Sequence, residues 1–192
     1  MIVFATDDIK KGDEICISYI NPLSNYLERK KELSGWGFIC QCELCEMDVK
    51  DPMYSERNEM WEEFKKFSTE FLPKEIIAKG EALLRKIRKS YIDGNKYKVV
   101  LAELLWILSS AYIQTGNTTT SVQYLEEVIK IMDNPLKYHY KIAEICVSLA
   151  IYYESTGDLQ KSVQMIEKAM ESKFCNDKSQ FKLYFPEISH LL

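Results

Sequence analysis

Apolar positions along the chain repeat at two different spacings, and the change falls near residue 52. Up to residue 20 they run in short β-rich stretches, residues 2–5 and 14–20, around the turn residues Lys11-Gly12-Asp13. That pattern predicts two strands. A two-stranded ribbon is marginal in water, so a sheet beginning here lacks most of its partners, and the chain is expected to start part-way through a fold. Beyond Asp51-Pro52 the apolar residues recur every three or four positions, predicting helices over 55–71, 74–91, 97–114, 118–132, 138–155 and 159–173. A shorter helix is predicted over 25–33, with Ser24 as its cap and Gly35 at its end. The expected class is α+β overall and mostly α, with a small incomplete β portion and a cysteine loop in 1–50 and a helical domain in 51–192.

The helical part repeats. Tyr112-Ile113-Gln114-Thr115-Gly116-Asn117 matches Tyr153-Glu154-Ser155-Thr156-Gly157-Asp158. Upstream, Leu105, Leu108 and Ser109 correspond to Cys146, Leu149 and Ala150; downstream, Ser121, Leu125 and Val128 correspond to Ser162, Ile166 and Ala169. Alternating large and small positions on two helices joined by a tight Gly-Asn or Gly-Asp turn resemble tetratricopeptide repeats, which stack helix pairs and form a concave surface for peptides. The two glycines are 41 positions apart (157 − 116), more than the usual ~34, and the excess falls at Asp133-Asn134-Pro135-Leu136. An ordinary helix bundle is the alternative.

Composition narrows the class. With 192 residues, 46% of them apolar, the chain can bury one core or two small ones. A net charge of −4 argues against general nucleic-acid binding, although residues 79–98 are locally basic and offer a contact for an acidic partner, or simply a solvated helix face. The longest apolar run, 99–113, contains Glu103 and is shorter than the roughly 20 residues a bilayer demands, so no membrane span is predicted. The start of the chain is too polar for a secretory signal.

Cys40, Cys42 and Cys45 stand within six positions, a density that neither helix nor strand requires. A C-x-C-x2-C cluster can turn three sulfurs toward one ion, and a tetrahedral Zn²⁺ takes four. The fourth ligand is missing from the local sequence. Three small buried residues, or a disulfide with a spare thiol, are the alternatives. The other cysteines, Cys16, Cys146 and Cys175, are scattered, which fits a reducing compartment, cytosol or nucleus. His139 and His190 have no nucleophile motif beside them.

In order and spacing, Ala5-Thr6-Asp7-Asp8-Ile9-Lys10-Lys11-Gly12-Asp13-Glu14-Ile15-Cys16-Ile17-Ser18-Tyr19, then Arg29, Leu33, Trp36-Gly37-Phe38 and the three cysteines, resemble the C-terminal part of a SET domain with its post-SET zinc loop. The likeness is to the SET and MYND type and to fungal SET proteins, strong up to residue 48 and weaker through the helices that follow. It implies transfer of a methyl group from S-adenosylmethionine to protein lysines, histone lysines among them. It also implies Tyr19 as the active-site tyrosine, Phe38 and Trp36 as aromatic neighbours of the cofactor, and Cys40, Cys42 and Cys45 as zinc ligands. Without the resemblance Tyr19 reads as a strand aromatic, and Phe38 and Trp36 read as core.

The departures matter too. The family's glycine-rich cofactor segment and its Asn-His-Ser stretch have no counterpart in these 192 residues, and in the family the fourth zinc cysteine comes from that region. Cys16 is a poor substitute, being a strand residue expected to face the core. The resemblance therefore implies the C-terminal part of a methyltransferase, inactive and binding S-adenosylmethionine negligibly as an isolated chain. The competing expectation is a non-catalytic, peptide-binding helical repeat protein.

Overall fold

The computed structural model describes residues 9–13, 19–37, 39–91, 95–132, 139–171 and 177–192, with His139 and Tyr140 described by backbone only. All regular structure among the described residues is helical. The α+β expectation is therefore corrected: no β portion is present among them. Residues 2–5 and most of 14–20 lie outside the described set, but Tyr19 and Ile20, the expected end of the second strand, form no strand and lead into a bend. Apolar side chains at spacing two gain burial only where a further sheet covers them. The helices, by contrast, satisfy their backbone groups internally.

The elements are α1 (Tyr26–Ser34), α2 (Glu43–Lys50), α3 (Tyr54–Glu70), α4 (Pro73–Ser90), α5 (Val99–Gln114), α6 (Thr118–Met132), α7 (His139–Ser155), α8 (Leu159–Glu171), α9 (Lys178–Tyr184) and a 3₁₀ turn (Pro186–Leu191). They fall into two compact units, Glu14–Ile131 and Met132–Leu192 with Met1–Asp13.

In the first unit α3, α4 and α5 pack on one another. Their apolar residues fall on one helical stripe at intervals of three, four or seven: Trp61 and Phe64; Ile76, Leu83, Leu84 and Ile87; Leu101, Leu104, Leu105 and Leu108, all buried. Pro73 opens α4, where the missing N–H costs nothing, and the Glu75 carboxylate accepts from the Leu72 N–H at 3.1 Å. Arg57, 3% exposed, joins three elements. It pairs with Asp51 at the end of α2, donates to the Ser90 carbonyl at 3.0 Å, and lies 4.0 Å from the Tyr91 ring centre.

Entry to α1 is one residue later than expected. Asn25 rather than Ser24 is the cap, because its side chain accepts from the Glu28 N–H at 2.9 Å while the Glu28 carboxylate accepts from the Asn25 N–H at 3.4 Å. The Ser24 carbonyl is taken by Arg29.

The two matched hexapeptides adopt the same turn. Gly116 and Gly157 have φ of 81° and 82°, left-handed values that glycine reaches without a Cβ penalty. The next residue in each case donates its N–H five positions back, Asn117 to Tyr112 at 2.9 Å and Asp158 to Tyr153 at 2.8 Å. The Asn117 and Asp158 side chains then cap the following helices, accepting from the N–H groups of Thr120 and Lys161, each at 3.2 Å. The stripe positions match as well: Leu105 and Cys146, Leu108 and Leu149, Ser121 and Ser162, Val128 and Ala169 are all fully buried.

The second unit is the α7–α8 hairpin, followed by a C-terminal segment with its own buried residues. Phe181, Phe185 and Ile188 are buried, and His190 Nε2 lies 2.7 Å from Glu154 Oε1 on α7. No helix of the described residues is long and apolar enough to cross a membrane.

Candidate metal centre and its aromatic neighbour

The cysteine triad sits at the start of α2, a helix that the polar sequence did not announce. Cys42 is its N-cap, Glu43 and Glu46 occupy the first turn and Lys50 the last, a charge order that suits the helix dipole. One helical turn from the cap carries Cys45 inward, to 4% exposure, while Cys40 is half-buried and Cys42 exposed. The three sulfurs lie within 4.8 Å of one another.

Four thiolates around Zn²⁺ at ~2.3 Å would stand ~3.8 Å apart, so small inward shifts would bring this triad to ligand distance. The triad fits a thiophilic ion. The electrostatics favour thiolate at Cys42 and oppose it at Cys45. Burial pushes the Cys42 thiol up, but hydrogen bonds from the Cys45 N–H and from the Cys40 and Cys45 thiols, with the nearby Arg29 charge, outweigh burial and hold Cys42 below its ordinary value. Thiolate is the ligating form. Cys45 is pushed up to about 12, first by burial, while its contact with Arg29 acts in the opposite direction. Its thiol donates to the Cys42 sulfur, which also keeps the proton on Cys45.

Two supports around the triad were not foreseen from sequence. Arg29 on α1, 3% exposed, places Nη2 3.8 Å from Cys45 Sγ, and the same nitrogen pairs with Asp48 one turn further along α2. Burial disfavours the guanidinium charge, yet Asp48 and Cys45 outweigh it and hold Arg29 protonated above the ordinary arginine value. On the other side of the helix start, Glu43 accepts from Tyr97 Oη at 2.6 Å and pairs with Lys96 at 2.5 Å. Those partners are more than fifty positions away, and no local pattern marks them. Arg29, by contrast, shares a face of α1 with Leu33, four positions on, and both are buried; a charged residue on an apolar stripe is a visible signal.

Arg29, Tyr54, Arg57, Asn58 and Tyr97 also line a cleft in this unit. Among the described residues, neither Arg29 Nε nor Asn58 Oδ1, both buried there, has a hydrogen-bond partner.

Of the aromatic residues singled out from sequence, Tyr19 and Trp36 come together, with ring centres 5.4 Å apart at 45°. Trp36 is carried by the turn after α1, where its N–H donates to the Leu33 carbonyl at 3.0 Å. Both rings are open to solvent, 51% and 66% exposed, so neither is core. Phe38 lies outside the described residues, as does Cys16.

Comparison with known proteins bears on both parts of the chain. The tetratricopeptide repeat family model matches residues 102–133 and 143–174, that is, the α5–α6 and α7–α8 regions. A histone-lysine N-methyltransferase SET5 from Meyerozyma guilliermondii is 30% identical over 130 residues, covering 67% of this chain and 23% of the relative. The protein of the same name from Scheffersomyces stipitis is 45% identical over 49 residues, 25% of this chain and 10% of the relative. A methyltransferase from Gibberella zeae is 28% identical over 109 residues, 55% of this chain and 15% of the relative. The chain thus spans about a quarter or less of the length of these relatives. It is homologous to the SET5 histone-lysine N-methyltransferases over part of its length, and carries tetratricopeptide repeats in its helical part.

Proposed function

We propose that this chain forms the zinc-loop and helical-repeat part of a protein-lysine methyltransferase. The observation that carries this is the convergence of Cys40, Cys42 and Cys45 to within 4.8 Å, directly after the Tyr19–Trp36 ring pair, in a chain homologous to such enzymes. The division of labour falls near residue 51, although both sides of it belong to the compact unit Glu14–Ile131, so it is a division of role and not of packing.

In this reading the three thiolates hold a structural zinc that orders residues 39–45, a segment whose exposed Ile39 and polar neighbours give it little core of its own. S-adenosylmethionine, when bound, supplies an electrophilic methyl group on a sulfonium. This chain's residues align and shield: the Tyr19 hydroxyl orients the incoming lysine amine, and Trp36 with Phe38 forms an apolar wall beside the cofactor. The solvent-exposed Tyr19–Trp36 pair supports that role, since a stacking face must be open to receive its ligand. The repeats suit a protein or peptide partner. Histone as that partner follows the names of the relatives, and a histone-modifying role in turn favours the nucleus.

The test is methyl transfer from radiolabelled S-adenosylmethionine to histone and peptide substrates, using protein tagged at its own chromosomal locus. Tyr19→Phe is expected to lower kcat at least about tenfold, the lower range of a positioning contribution. Undiminished transfer by that variant overturns the assignment. Metal analysis of the purified 192-residue chain is expected to show zinc that Cys42→Ser removes.

A further inference from the structure

We infer that Arg29 is a positioning residue for the cysteine site: it fixes the Cys45 sulfur in ligating orientation and offsets part of the negative charge that thiolates gather around a divalent ion. This rests on the triad being a metal site.

Burying a guanidinium costs several kcal/mol unless its donors are taken up. Arg29 is 3% exposed, and its two terminal nitrogens are taken up although Nε is not: Nη1 donates to the Ser24 carbonyl at 2.5 Å, and Nη2 to both Asp48 and the Cys45 sulfur, the latter at 3.8 Å. Asp48 and the Ser24 carbonyl would suffice to dock α1 on α2. The contact with sulfur goes beyond docking, and it falls on the one cysteine of the triad that is buried.

Charge explains why that sulfur needs it. Three thiolates and a dication carry a net charge of −1, and a fourth thiolate would make it −2. Cys40 and Cys42 share that excess with water, whereas Cys45 cannot. A fixed cation beside its sulfur supplies locally what solvent supplies elsewhere, and an N–H···S hydrogen bond also sets the direction of the sulfur lone pairs. Groups that hold a metal ligand in this way typically change metal affinity by about 10–100-fold when removed. Lysine is an incomplete substitute, because one ammonium lacks the planar fork that reaches a carbonyl, a carboxylate and a sulfur together.

The experiment titrates Co²⁺ and then Zn²⁺ into the reduced full chain, following the sulfur-to-cobalt charge-transfer band and competing with a chelator of known affinity. Arg29→Met is expected to bind about 10–100-fold more weakly, with a weakened charge-transfer band, and Arg29→Lys is expected to fall between it and wild type. Asp48→Asn loosens the same helix contact but leaves the cation, and should stay within about threefold of wild type. Wild-type affinity in Arg29→Met overturns the inference, as do equal losses in Arg29→Met and Asp48→Asn, which mark a merely structural contact. Should Arg29→Met fail to fold, Arg29→Lys decides: wild-type affinity there overturns the inference. A wild-type chain that takes up no metal overturns the metal site itself, a different result from one in which wild type and variant bind alike.

Discussion

Gly80 on α4 and Leu108 on α5 leave no space between them: a Cβ built on Gly80 would stand 2.5 Å from Leu108 Cδ2 and 3.0 Å from Phe64 Cζ. Leu108 and Phe64 are themselves buried, so neither side chain can swing into solvent. Gly80→Ala gains up to ~1 kcal/mol of helix propensity but overpacks the junction of α3, α4 and α5, at ~1–3 kcal/mol. A net loss of about 1 kcal/mol is expected in urea unfolding. Adding Leu108→Ala should make the Gly80 substitution neutral or favourable, and a destabilisation unchanged in that background would show that the clash is not the cause.

Ser121 and Ser162 occupy equivalent repeat positions, both wholly buried, and the hydroxyl of each has no hydrogen-bond partner among the described residues. An unsatisfied buried hydroxyl costs ~1–3 kcal/mol, whereas alanine keeps the small size that close helix approach needs. Ser121→Ala and Ser162→Ala should each raise the unfolding free energy, by up to about 1 kcal/mol per site. A drop in either case would reveal a partner for that hydroxyl.

Arg57 and Asp51 form the most deeply buried ion pair among the described residues, at 3% and 4% side-chain exposure. Removing one partner strands the other charge, at ~3–5 kcal/mol, while replacing both by apolar groups restores much of the loss. Arg57→Met should therefore be severely destabilising and Arg57→Met with Asp51→Leu much less so. Chemical denaturation of both variants measures the difference.

Alkaline pH should loosen the contact of α4 with α5. Glu81 accepts from Tyr112 Oη at 2.9 Å and from Tyr124 Oη at 2.5 Å. Burial, and then donation to Glu81, push the Tyr112 phenol from 10.0 up to about 12. Since the folded value is the higher one, the unfolded chain releases its proton first as pH rises. The contribution is complete below about pH 10 and is lost as pH passes through about 12. Thermal midpoints of wild type and Tyr112→Phe should differ at pH 8 and converge between pH 10 and 12. A constant difference would show that Tyr112 ionises alike in both states.

The helical half was legible because its signals are local. The span expected for α6, 118–132, is the one observed, and the Gly116 and Gly157 turns were visible as repeated hexapeptides whose capping residues follow at once. Helix α2 was not, because Cys40 and its neighbours read as a polar loop and only the burial of Leu44 and Cys45 gives the segment a face. Of the expected strands only Tyr19 and Ile20 lie among the described residues, and they form none, because alternation says what a segment does once a sheet covers it, not whether a sheet is there. At the site, the cysteine triad could be read from spacing alone. Its supports could not, since Asp48 answers to Arg29 and Glu43 to Tyr97, and such pairings are made by folding.

The α7–α8 hairpin closes through the short turn Thr156-Gly157-Asp158, so its many contacts join residues near one another along the chain. Little loop entropy stands against its formation, and local contacts of this kind form fast. The α3–α5 junction instead needs Phe64 to wait for Leu108, forty-four positions later. In refolding of the whole chain the α7–α8 hairpin should therefore consolidate early, whereas the cysteine helix acquires its Tyr97 contact only when residues 54 positions apart meet. Pulse-labelling hydrogen exchange would show that order as early protection at Leu149 and late protection at Cys45.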